Sequence, residues 1–135
     1  MEIALSSAAA QVLHELSLDP TITSVWLIGS RANDTPKEAS DWDLLAFRTH
    51  DPSPTNARRP GVDVLSVGPS EQILLEGKSE EYAFSLSDLE WTETSERTAS
   101  YRGKHFVKYP EGQAIDADAP RFHRVHLCAK RLWPK

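Results

Sequence analysis

Three aspartates and one glycine-serine pair are the residues of this chain whose types and spacing could do chemistry. Asp41 and Asp43 flank Trp42, and Asp63 follows twenty residues after Asp43 in the run Gly61-Val-Asp-Val-Leu-Ser66. On an extended strand, residues i and i+2 point to the same face, so Asp41 and Asp43 present two carboxylates together while Trp42 and Leu44 point away. Asp63 is set among apolar residues, where an ionised carboxylate is costly to desolvate unless a cation or a donor compensates it. Mg²⁺ suits three such carboxylates, because it takes oxygen ligands and completes its octahedron with waters and substrate phosphates. Two ions roughly 3.5 to 4 Å apart support an in-line displacement at phosphorus.

Gly29-Ser30 closes the apolar run Ser-Val-Trp-Leu-Ile at 24–28 and stands ten residues before Asp41. A strand that ends in glycine and opens a helix offers free backbone N–H groups to phosphate, with no Cβ to obstruct the approach. The Ser30 hydroxyl adds a donor. Arg31 is a candidate for neutralising a triphosphate, although an arginine at a helix start is commonly only solvated. Taken singly these features are weak, since Gly-Ser pairs are common and a lone Asp-x-Asp is more often surface than metal site. Their combination in this order is specific.

Other motifs fail on detail. An EF-hand loop needs an oxygen ligand where Leu45 stands. A P-loop needs Gly-Lys-Ser or Gly-Lys-Thr, and a dinucleotide fingerprint needs three spaced glycines; neither occurs. His123 and His126, three apart, read as a surface pair, because no third ligand is near them in sequence. Arg58 and Arg59, and Lys104, His105 and Lys108, could approach phosphate but read first as solvated.

These candidates need elements to position them. Leu5, Ala8, Ala9, Val12, Leu13 and Leu16 recur at helical spacing, with Ser6 or Ser7 as N-cap and Asp19-Pro20 as stop. Strands are expected at 24–28, 43–48 and 62–67. The polar segment 31–40 reads as a short helix followed by a loop, and 50–61, with three prolines, as a surface connection. A short helix is expected at 69–76, capped by Ser70 and stopped by Gly77. Residues 98–102 and 104–109 suggest a hairpin about Gly103, with 89–94 beside it. Asp118 caps a final amphipathic helix at 119–132, with Phe122, Val125, Ala129 and Leu132 inward. The expectation is a single domain over 1–135, with its core motif at 24–67 and a C-terminal hairpin and helix at 82–133.

The chain of 135 residues is long enough for one sizeable core. Fifteen Lys and Arg against twenty Asp and Glu leave a formal charge of −5, which argues against gripping bare nucleic acid over the whole surface. A local basic patch remains at Arg121, Arg124, Lys130, Arg131 and Lys135. No apolar run is long enough to cross a bilayer, so no membrane is expected. The single cysteine, Cys128, fits a reducing cytoplasmic location.

Trp26-Leu-Ile-Gly-Ser-Arg31 through Ser40-Asp-Trp-Asp-Leu-Leu-Ala46 resembles the signature of the DNA polymerase β nucleotidyltransferase superfamily, and is most similar to its minimal members. The resemblance covers about residues 25–67. It implies an α/β (α+β) nucleotidyltransferase fold, a mixed sheet with flanking helices. It also implies that Gly29, Ser30 and Arg31 bind the nucleotide, that Asp41, Asp43 and Asp63 are the catalytic and metal-binding residues for two Mg²⁺ ions, and that Asp63 helps activate the acceptor hydroxyl. The expected activity is transfer of a nucleoside monophosphate from an NTP, ATP first, to a hydroxyl of a macromolecular acceptor. Stand-alone members of this size resemble antitoxins paired with a helical HEPN-type toxin, so a protein partner or an RNA acceptor is expected. The alternative is a non-catalytic module that binds a metal-nucleotide or neutralises a partner.

Overall fold

The computed structural model describes residues 4–29, 31–33, 41–53, 59–77, 82–106, 111–112, 114, 116–119 and 122–134. The chain begins with α1 (Ser7–Ser17), which is amphipathic and carries Ala9, Val12 and Leu16 on its buried face. Ser6 caps it by accepting the Ala9 N–H at 3.1 Å. After α1 the Asp19 carboxylate accepts both the backbone N–H and the hydroxyl of Thr21, turning the chain into the first strand.

Eight strands follow: β1 (Ile22–Ile28), β2 (Trp42–Arg48), β3 (Val62–Val67), β4 (Gln72–Leu75), β5 (Tyr82–Ser85), β6 (Thr92–Glu93), β7 (Thr98–Phe106) and β8 (Phe122–Trp133). They form one sheet in the order β5-β4-β3-β2-β1-β8-β7-β6, curled into a half-barrel. The β2–β3 pair is parallel and the other pairs are antiparallel. Parallel pairing demands a long crossover, which the residues between Arg48 and Val62 provide.

The expected fold class, α/β with helices flanking a mixed sheet, is overturned: α1 is the only helix among the described residues, and the rest of the architecture is sheet. Two expected helices are strands. The segment 69–76 opens with a turn, closed by the Glu71 N–H on the Gly68 carbonyl at 2.9 Å with Glu71 at φ 66°. It then runs extended as β4, because Ile73 and Leu74 are buried against neighbouring strands and four apolar residues are too few for a helix to bury on one face.

The expected C-terminal helix at 119–132 is the twelve-residue β8. Along it the exposed Arg124, His126 and Cys128 alternate with the less exposed Val125, Leu127 and Ala129, a period of two that pairing with β7 and β1 selects over the period of 3.6. The hairpin expected about Gly103 is also corrected. Gly103 lies inside β7 opposite Val125, and its missing side chain makes room for Leu127, so it answers packing rather than a turn.

The two faces of the sheet carry separate cores. On one face α1 covers Val25, Leu27, Leu44, Ala46, Val62 and Val64. On the concave face Trp26, Leu45, Val67, Ile73, Leu89, Ala99, Tyr101 and Ala129 cluster, and Trp91 stands edge-on to Trp26 with ring centroids 5.2 Å apart. At the rim of the α1 face, Arg48 bonds Asp19 at 2.9 Å and Glu76 at 3.2 Å, and its Nε donates to the fully buried Ser66 hydroxyl at 3.1 Å. Arg59 pairs with the same Glu76. This network ties the end of β2 to β3, β4 and the chain after α1.

Candidate functional site

The parallel register of β2 and β3 brings two of the three aspartates together. Asp43 and Asp63 are direct Cα partners, flanked by Trp42 opposite Val62 and Leu44 opposite Val64. Neighbouring strands lie about 4.8 Å apart, so the two carboxyl groups stand side by side. Both are half-buried, and alternation puts them on the concave face with Leu45 and Leu65.

Burial is the first reason the Asp43 carboxyl is pushed up to about 7. The negative charge of Asp63 comes next, then a hydrogen bond to Asp63, then the charge of Asp41. The pair therefore shares a proton near neutral pH. Asp41 is exposed, two residues ahead of Asp43 and before β2 begins. Among the described residues no group of three or more His, Cys, Asp and Glu side chains is gathered to hold a metal ion. The structure brings together Asp43 and Asp63, with Asp41 within electrostatic reach of Asp43.

Gly29 meets this pair from β1. Ile28 is the Cα partner of Asp43, and Gly29 follows at φ 75°, in the left-handed region that favours glycine. A Cβ there would overlap the Asp43 carboxylate oxygen, so the backbone of the Gly29 turn lies directly against the acid. The turn closes through the Ala32 N–H on the Gly29 carbonyl at 3.1 Å. Ser30 lies outside the described residues. Arg31 sits over the Trp42 ring, 4.8 Å from its centroid, and Trp42 packs with the α1-side core, so the guanidinium stacks there.

Two residues without a motif complete the site. Tyr101 of β7 is buried, and its hydroxyl oxygen accepts the Gly29 N–H at 2.8 Å. Burial raises the Tyr101 phenol above its ordinary range; the Gly29 N–H opposes this and the Asp43 charge adds to it. Asn33 donates to the Gly29 carbonyl at 2.7 Å and to the Cys128 carbonyl at 3.1 Å, while its side-chain oxygen accepts the Cys128 N–H at 2.8 Å. A buried tyrosine in an alternating strand and an asparagine four residues after a glycine carry no sequence signal of their own.

The other basic candidates do not reach the acids. Arg59 is held by Glu76, and Arg124 donates to the Asp88 carbonyl at 3.1 Å. His123 and His126, three apart on a strand, face opposite sides of the sheet. Arg58, Lys108, Arg121 and Lys135 lie outside the described residues, as do the side chains of Lys104 and His105. No helix among the described residues is long and apolar enough to cross a membrane.

The donor set fits a divalent cation. Two adjacent carboxylates offer hard oxygen ligands to one ion, and their mutual repulsion, now relieved by a shared proton, is what such an ion neutralises. No protein-family model matches the chain, and no curated protein or solved structure matches it either.

Proposed function

We propose that this protein binds a divalent-metal nucleoside triphosphate at Asp41, Asp43 and Asp63 and transfers its nucleoside monophosphate to a hydroxyl of a macromolecular acceptor. The observation that carries this reading is the registered Asp43–Asp63 pair with the Gly29 turn in contact with it. Asp43 and Asp63 would hold one Mg²⁺ between them, and Asp41 would complete the ligand set for a second. The ions would supply charge neutralisation for the phosphates and Lewis acidity at the reacting phosphorus.

The chain's own groups would do the rest. The backbone of the Gly29 turn, with no side chain in the way, lets phosphate come close to the acids. Asp63 would take the proton of the acceptor hydroxyl as its oxygen forms a bond to the α-phosphorus and the bond to the pyrophosphate oxygen breaks. ATP is the first nucleotide to test. The reading predicts that purified protein, α-labelled ATP, Mg²⁺ and host lysate yield a labelled acceptor, and that Asp43→Ala yields none. Loss of label to protease identifies a protein partner, and loss to RNase an RNA. No label with any of the four NTPs, in a lysate containing the acceptor, overturns it.

The exposed position of Asp41 favours a second reading, in which one ion and a nucleotide are bound without transfer. In that case Asp43→Ala abolishes ion-dependent nucleotide binding, and no labelled product forms with the intact protein.

A further inference from the structure

We propose that Tyr101 and Asn33 are positioning residues of the acidic site, fixing the Gly29 turn against Asp43 so that its backbone receives the phosphates of the bound ligand. This inference rests on the proposed function. It assigns the C-terminal strands, which carry no recognisable motif, the task of building one wall of the site.

The geometry is specific. β1 ends at Ile28, and its last register partner on β8 is Lys130, facing Leu27. Continued two residues further, an antiparallel ladder would set Gly29 opposite Cys128. The Asn33 side-chain amide instead pairs with both the N–H and the carbonyl of Cys128, extending the ladder with a side chain while the backbone turns away. The same amide holds the Gly29 carbonyl.

From the next strand, Tyr101 reaches over β8, where the small Ala129 belongs to the same buried cluster, and its oxygen takes the Gly29 N–H. Both backbone polar groups of Gly29 are thus fixed by side chains from outside the turn. A left-handed glycine in contact with a carboxylate needs such restraint, since glycine alone is free to adopt many conformations.

Tyr101→Phe keeps the ring packing and removes the hydroxyl; Asn33→Ala removes the bridge to β8. The probes are Mn²⁺ alone, followed by paramagnetic resonance, and inorganic triphosphate in saturating Mn²⁺, followed by calorimetry. Near-ultraviolet circular dichroism checks that each variant is folded. Both variants are expected to bind Mn²⁺ within twofold of the parent and inorganic triphosphate about tenfold more weakly, the loss of one well-placed hydrogen bond. Asp43→Asn is expected to lose Mn²⁺ itself.

A parent protein that binds both probes, with variants equal to it or weakened equally for both, overturns the positioning role alone. A parent that binds no Mn²⁺ overturns the proposed function, and this inference with it. One that binds Mn²⁺ and no triphosphate overturns the phosphate-receiving role of the Gly29 turn while leaving the ion site standing.

Discussion

Asp43 and Asp63 are cross-strand partners on the parallel β2–β3 pair, and the Asp43 carboxyl is pushed up to about 7, first by burial and then by Asp63. Between the ordinary carboxylate range near 4 and about 7, the unfolded chain is ionised at this position while the native protein keeps its proton. The native state then binds more protons, so this group's contribution to stability falls as pH rises through that window and levels off above it. Urea denaturation of metal-free protein at pH 5 and pH 8 should show the fall, and Asp43→Asn should remove it. An unchanged difference between the two pH values in Asp43→Asn rules the pair out as its source.

The same pair predicts how a divalent ion acts. Mg²⁺ replaces the shared proton, so its stabilising effect should be larger at pH 8 than at pH 5, where the ion must displace a bound proton. Thermal melts with and without Mg²⁺ at the two pH values measure this directly. Equal shifts at both, or none, would separate ion binding from the Asp43–Asp63 pair.

Much of this site was legible in the sequence, and most of the fold around it was not. Gly29, Asp43 and Asp63 were marked by residue type and spacing, because a glycine at a strand end and carboxylates inside apolar runs are each costly without a local reason. The strands that carry them were also visible as short β-branched runs. The C-terminal half was ambiguous for a physical reason. The run from Phe122 to Leu132 places apolar residues at both a helical and an alternating period, and only the pairing of β8 with β7 and β1 decides between them. Tyr101 and Asn33 were invisible because their role depends on partners 72 residues away for Tyr101 and 95 away for Asn33.

Gly29→Ala should damage the site more than the fold. A non-glycine residue at φ 75° costs about 1 to 2 kcal/mol, and the added Cβ must also displace the Asp43 carboxylate. Chemical denaturation is expected to show a loss on the order of 2 kcal/mol, and Mn²⁺ binding to weaken by at least tenfold. Parent-like ion affinity in Gly29→Ala would contradict the contact between this turn and the acid.

Arg48 offers a test of what holds the sheet together away from the acids. Its guanidinium joins Asp19, Ser66 and Glu76, and the Asp19 carboxyl lies below its ordinary range, first through the Thr21 hydroxyl and amide and then through Arg48. Arg48→Ala leaves Glu76 facing Asp19 and the buried Ser66 hydroxyl with only Arg59 to compensate, and removing one partner of such a half-buried network costs about 3 kcal/mol. Arg48→Met with Glu76→Gln, which removes charge from both sides and keeps side-chain volume, should recover more than half of that loss. The urea midpoints of parent, single and double variants form the cycle that decides it. Additive losses would mean that Arg48 acts by packing its stem alone, whereas recovery in the double variant assigns the stability to the paired charges.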